Sequence, residues 1–145
     1  MRTNNILTKQ ERRQRACYRV AWNIKHMWDE SRTSDTRLME RPIISDELVV
    51  VGESIAGREH REHVVPRKVL CDEAHRLYGA GETVDTVAML LEKYLKIVLI
   101  TRQERKYLDS REGVGLRQRM PQGWSFHDGN VFARLHSANI NFVLY

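Results

Sequence analysis

The stretch Lys96-Ile-Val-Leu-Ile-Thr-Arg-Gln-Glu104 decides the fold class, because its character changes within one residue. Lys96–Ile100 is a short, β-branched apolar run, which predicts a buried strand. Thr101-Arg-Gln-Glu104 has the spacing of a capping box, in which the Thr101 hydroxyl accepts from a free first-turn amide and the Glu104 carboxylate reaches back. The chain therefore passes straight from a strand into a helix, expected to end near Asp109. A strand set among helical patterns predicts an α+β class, mainly helical with a small sheet, in a single domain over residues 1–145.

Working outward, Thr83 to Leu95 carries Val84, Val87, Ala88, Leu91, Tyr94 and Leu95 at helical spacing. Pro66 stands where a helix begins, with Leu70, Ala74, Leu77 and Tyr78 as its apolar face and Gly79-Ala-Gly81 as its stop. Before it, Ser54–Arg61 reads as a loop turning at Gly57. Glu47–Glu53 reads as a buried strand ended by Gly52. The first helix opens on a second capping box, Thr8 with Glu11, and buries Cys17, Val20, Ala21, Ile24, Met27 and Trp28. It fades at the polar stretch Ser31–Asp35. Toward the C-terminus, residues 110–129 are a Gly-, Arg- and Gln-rich loop. A short helix over Asn130–Ser137, capped by Asp128, and an edge strand over Asn139–Tyr145 complete the expectation.

Composition narrows the function classes. Hydrophobic residues make up 41% and charged residues 30% of 145 positions, enough for a core and too apolar for a disordered chain. The apolar runs Leu48–Val51 and Ile97–Ile100 fall far short of a membrane span, for which ~20 residues are needed. The first fifteen residues offer no apolar stretch for a secretory segment, so a cytoplasmic protein is the expectation. Cys17 and Cys71 lack a C-x-x-C pattern, which argues against a disulfide framework or a zinc knuckle. No glycine-rich phosphate loop, G-x-S-x-G elbow or H-E-x-x-H is present.

Charge is uneven along the chain. Residues 1–41 hold ten Lys and Arg against five Asp and Glu; residues 42–82 hold five against eight; residues 83–145 hold nine against six. Arginine outnumbers lysine 18 to 6, and its planar fork suits phosphate and carboxylate. Basic flanks around an acidic middle would suit nucleic acid outside and a cation within, although a net charge of +5 also serves ordinary solubility.

One segment carries the residue types of chemistry. Gly57-Arg-Glu-His-Arg-Glu-His-Val-Val-Pro66 packs Glu59, His60, Glu62 and His63 into five residues ahead of a helix. A carboxylate binds a hard divalent cation, and a neutral imidazole beside it takes a proton from water. Metal-assisted attack on a phosphodiester needs both, with positive charge along the rest of the backbone. Each residue also has a plainer role: His63 as a helix cap or backbone partner, Glu62 as a solvated carboxylate near a helix entry, His60 as an exposed loop residue, and Glu104 as the second half of its capping box.

Glu62-His63-Val64-Val65-Pro66 resembles the first motif of the HNH, or ββα-metal, nucleases. The resemblance implies that His63 is a general base and Glu62 a metal ligand. It also implies that a later helix entered from a strand adds further ligands; here that helix would offer Glu104. Mg²⁺ or Mn²⁺ would be the cofactor, held by Glu62 with His60 or Glu104, and Arg61 or Arg67 would steady the phosphate. The chain departs from the pattern in two ways: more than thirty residues separate His63 from that strand, and no Asn precedes the helix.

Two functions remain open at this stage. The first is an HNH-like, metal-dependent nuclease in which His63 activates water for phosphodiester cleavage. The second is a non-catalytic, cofactor-free interaction protein, by analogy with mobile-element inhibitors of host defence complexes. It would use Arg12, Arg13, Arg15 and Arg19 of the first helix and the Arg111–Arg119 segment to bind nucleic acid or an acidic protein surface.

Overall fold

A computed structural model describes residues 6–145; the start of the N-terminal stretch in which no secretory segment is expected lies outside them. The first helix, α1, spans Lys9–Ser31 and opens on the expected capping box, with the Thr8 hydroxyl accepting from the Glu11 N–H and the Glu11 carboxylate from the Thr8 N–H. Its stripe of Ala16, Cys17, Val20, Ala21 and Ile24 is fully buried. A left-handed Arg32 closes its C-terminus.

Four strands form one mixed sheet: β1 (Val50–Ser54), β2 (His60–His63), β3 (Ile97–Ile100) and β4 (Phe142–Leu144). The spatial order is β2-β3-β1-β4. Strands β1 and β3 run parallel, whereas β2 and β4 lie antiparallel on the two edges. Ile97, Val98 and Ile100 of β3 are fully buried, as a strand covered on both faces requires. The chain travels from β2 to β3 through α3 (Arg67–Gly79) and α4 (Val84–Tyr94). The Thr83 hydroxyl caps α4 by accepting from the Thr86 N–H, and α4 supplies the main packing surface for α1. The Tyr78 hydroxyl ties α3 to α1 by donating to the Ala21 carbonyl at 2.6 Å. The α+β class, mainly helical with a small sheet, is the architecture observed.

Several expectations need correction. Residues 47–49 are not strand: Asp46–Val49 forms a helical turn, α2, that turns Leu48 and Val49 into the core, and the strand begins at Val50. Gly52 does not end it but lies inside β1. A Cβ there would meet the Val143 carbonyl at 2.4 Å, so the missing side chain lets β4 come close. The expected loop Ser54–Arg61 holds over residues 55–59 but stops short of Arg61, where His60–His63 forms β2, a His-Arg-Glu-His sequence that carries no strand signal. Main-chain pairing with β3 makes it a strand, in the register His60 to Ile100 through His63 to Ile97. Toward the C-terminus, α5 (Arg102–Asp109) has the predicted capping box. The last helix, α6, shortens to Ala133–Ser137. Asp128 does not cap it, because its carboxylate accepts from Ser125, while Asn130 accepts from the Phe132 N–H.

Candidate functional site

The pleat of β2 sorts the four unusual residues onto two faces. Arg61 and His63 share one face and meet the carboxylate of Glu40, which follows a 3₁₀ turn over Thr36–Met39. The His63 Nε2–H donates to Glu40 Oε2 at 2.9 Å; Arg61 donates to Glu40 Oε1 at 2.9 Å and to Asp46 at 2.7 Å. Arg67, in the first turn of α3, adds a contact to Glu40 at 3.1 Å. The His63 bond, helped by Arg61 and opposed by desolvation, holds the Glu40 carboxyl down to about 2. With Nε2 committed to Glu40, the basic lone pair of a neutral ring lies on Nδ1. That atom is closed to solvent and has no hydrogen-bond partner among the described residues.

His60 and Glu62 take the other face. Glu62 is buried, with its Oε1 3.2 Å from His60 Nε2 and its Oε2 accepting from Arg134 Nη1 at 2.9 Å. Arg134 belongs to α6 and is fully buried. The same Nη1 donates to the His63 carbonyl at 2.7 Å, and Nε and Nη2 donate to the Leu116 carbonyl at 3.0 and 2.7 Å. An arginine amid the apolar Val131-Phe-Ala-Arg-Leu135 was the one sequence signal for it. Glu40 left no comparable signal, since nothing local pairs it with residues more than twenty positions away.

Of the residues implied as ligands, Glu62 and His60 come together, but Glu104 does not join them. Glu104 sits in its capping box, with Oε1 accepting from the Thr101 N–H at 2.8 Å and Oε2 from the Ser54 hydroxyl at 2.9 Å. It lines a different hollow, beside Tyr107 and Ile140. Both Glu62 oxygens and both Glu104 oxygens are therefore occupied in separate places. Among the described residues no three His, Cys, Asp or Glu side chains gather as a metal site requires. The donor set does not fit a shared Mg²⁺ or Mn²⁺.

What the fold does bring together is positive charge. A hollow of about 220 Å³ beside β2 is lined by Arg61, Arg67, Lys68, Arg105 and Arg117, with Glu62 and Asp109 as its carboxylates. A second hollow of about 570 Å³ shares Arg105 and Arg117 with it and adds Arg102, Lys106 and Glu59. Together they make a groove with seven Lys and Arg side chains against three carboxylates, with His60 and His63 but no Phe, Tyr or Trp in its lining. Arg61 and Arg67 are held by Glu40, and Arg105 lies 3.6 Å from Asp109. Arg102, Lys106 and Arg117 form no ion pair among the described residues. At the inner end, α3 begins at Pro66 without a side-chain cap, so its first-turn amides keep their donors.

The arginines of α1 are mostly occupied elsewhere. Arg12 pairs with Glu47 at 2.9 Å, Arg13 donates to the Leu48 and Leu95 carbonyls, and Arg19 donates twice to the Ile43 carbonyl. Arg15, exposed on the outer face, makes no such contact among the described residues. Elsewhere the fold joins Ser34, Cys71 and His75. The Ser34 hydroxyl lies 2.6 Å from His75 Nε2 and 3.2 Å from Cys71 Sγ, and Trp28 stacks on the imidazole. This cluster ties the loop after α1 to α3.

No protein-family model, curated protein or solved structure matches this chain. Among the described residues, no helix is long and apolar enough to cross a membrane.

Proposed function

We propose that this chain binds nucleic acid by its phosphate backbone in the groove between β2, α5 and the 110–119 loop. The observation that carries the reading is the seven-to-three excess of cations over carboxylates across two hollows that share residues. Arginine forks and first-turn amides suit phosphate oxygens, and concentrated positive charge gains affinity by releasing counterions. No Phe, Tyr or Trp lines the groove for bases to stack on, which favours a duplex backbone over a single strand and binding without sequence preference. The acidic-protein alternative uses the same charge. It lacks the regular phosphate spacing that a continuous groove can follow.

Fluorescence anisotropy with a labelled duplex DNA of random sequence tests this. Arg105→Ala with Arg117→Ala is expected to weaken binding and flatten its salt dependence, whereas Arg15→Ala leaves both unchanged. Equal binding by the groove variant at low salt would move the surface elsewhere.

The bond between His63 and Glu40 favours a second reading, hydrolysis of the bound strand. A carboxylate orienting an imidazole through one nitrogen leaves the other as the base. In this protein that nitrogen is Nδ1, so cleavage requires the bound substrate to open a path to it. Plasmid nicking by the wild type, lost in His63→Ala while duplex binding persists, would establish that activity.

A further inference from the structure

We infer that Arg134 is the resident cation of this site: its guanidinium occupies Glu62 in place of a divalent metal and positions the Arg117 wall of the groove. The positioning half rests on the phosphate-binding reading; the metal half stands without it. A carboxylate as buried as Glu62 needs a positive partner, and Arg134, itself fully buried, supplies one at 2.9 Å.

The same side chain reaches three segments. Besides Glu62 and the His63 carbonyl on β2, it holds the Leu116 carbonyl twice, contacts the Arg117 carbonyl at 3.4 Å, and lies 4.0 Å from Asp109 at the end of α5. The loop carrying Arg117 has no strand or helix of its own between α5 and α6. Arg134 thus anchors the Leu116–Arg117 backbone against β2, and Arg117 lines the groove as a result. A metal at Glu62 would have to displace a guanidinium with hydrogen bonds to three backbone carbonyls.

The test has two arms. Electron paramagnetic resonance of Mn²⁺ added to the wild-type protein is expected to match buffer, and duplex affinity to be equal in EDTA and in Mg²⁺. Mn²⁺ retained by the wild type and released in Glu62→Gln would overturn the resident-cation assignment. In the second arm, Arg134→Lys keeps the charge but loses the fork. It is expected to reduce the salt slope of duplex binding by about 0.9, the share of one phosphate contact, and to weaken binding at 0.1 M salt by about eightfold. Arg117→Ala should do the same, and the double variant no more. A folded Arg134→Lys protein that binds as the wild type does, or a double variant with additive losses, would overturn the positioning role. If Arg134→Lys does not fold, backbone order parameters of the wild type decide: values at Leu116 and Arg117 as high as those of β2 support the anchor, and values of a mobile loop refute it. A wild type that binds no duplex at low salt defeats the groove reading, while the Mn²⁺ arm still decides the cation.

Discussion

At the residue scale, two buried or half-buried charges organise the site, and each makes a prediction. Glu40 accepts from His63, Arg61 and Arg67, and its carboxyl is held down to about 2. A depressed carboxyl contributes stability that is present above its unfolded value and is lost as pH falls toward its folded value. Acid denaturation should therefore show a component between roughly pH 4.5 and 2 that is absent in Glu40→Gln. Thermal melts across that window measure it, and parallel curves for the two proteins would refute it. Arg134 is the sharper case. Removing the guanidinium leaves Glu62 buried without its ion pair, so Arg134→Met should cost about 3 kcal/mol or more. Adding Glu62→Gln should recover part of that cost, read as the urea midpoint of the single and double variants.

At the element scale, the strand-to-helix passage from β3 into α5 does the positioning. The Thr101 hydroxyl and the Glu104 carboxylate satisfy each other's backbone donors, and Glu104 also takes the Ser54 hydroxyl from β1. Thr101→Ala should cost about 1 kcal/mol of stability. It should also weaken duplex binding slightly, because Arg102, Arg105 and Lys106 ride on the capped helix. Gly52 sets the other sheet edge. Its absent Cβ admits the Val143 carbonyl, so Gly52→Val should detach β4 and deprotect the Val143 and Tyr145 amides in hydrogen exchange. The groove lies at the opposite edge, along β2, and duplex binding by that variant should survive wherever the protein remains folded.

At the scale of the whole molecule, net charge misleads about where a ligand docks. Residues 1–41 are the most basic stretch, yet Arg12, Arg13 and Arg19 hold Glu47 and backbone carbonyls. The groove is instead assembled from β2, α3, α5 and the loop after it. Duplex affinity should fall steeply and linearly with the logarithm of salt, and its slope should be insensitive to Arg15→Ala. The capping boxes at Thr8 and Thr101, the apolar stripes of α1 and α4 and the buried run of β3 were legible in sequence. Each is written within a few residues, at the period of the element it forms. His60, Glu62 and His63 were legible as unusual for the same reason. Their partners were not: Glu40 lies 23 residues before His63 and Arg134 lies 72 after Glu62. The strand character of His60–His63 also came from outside, through pairing with β3. Local spacing determined the helices α1, α3, α4 and α5, the central strand and the α+β class by itself, because backbone bonding and burial repeat over short distances. Tertiary structure alone decided that Glu62 faces an arginine and that the cations gather beside β2. Long-range charge pairing depends on which elements the hydrophobic core brings into contact, and no local pattern encodes it.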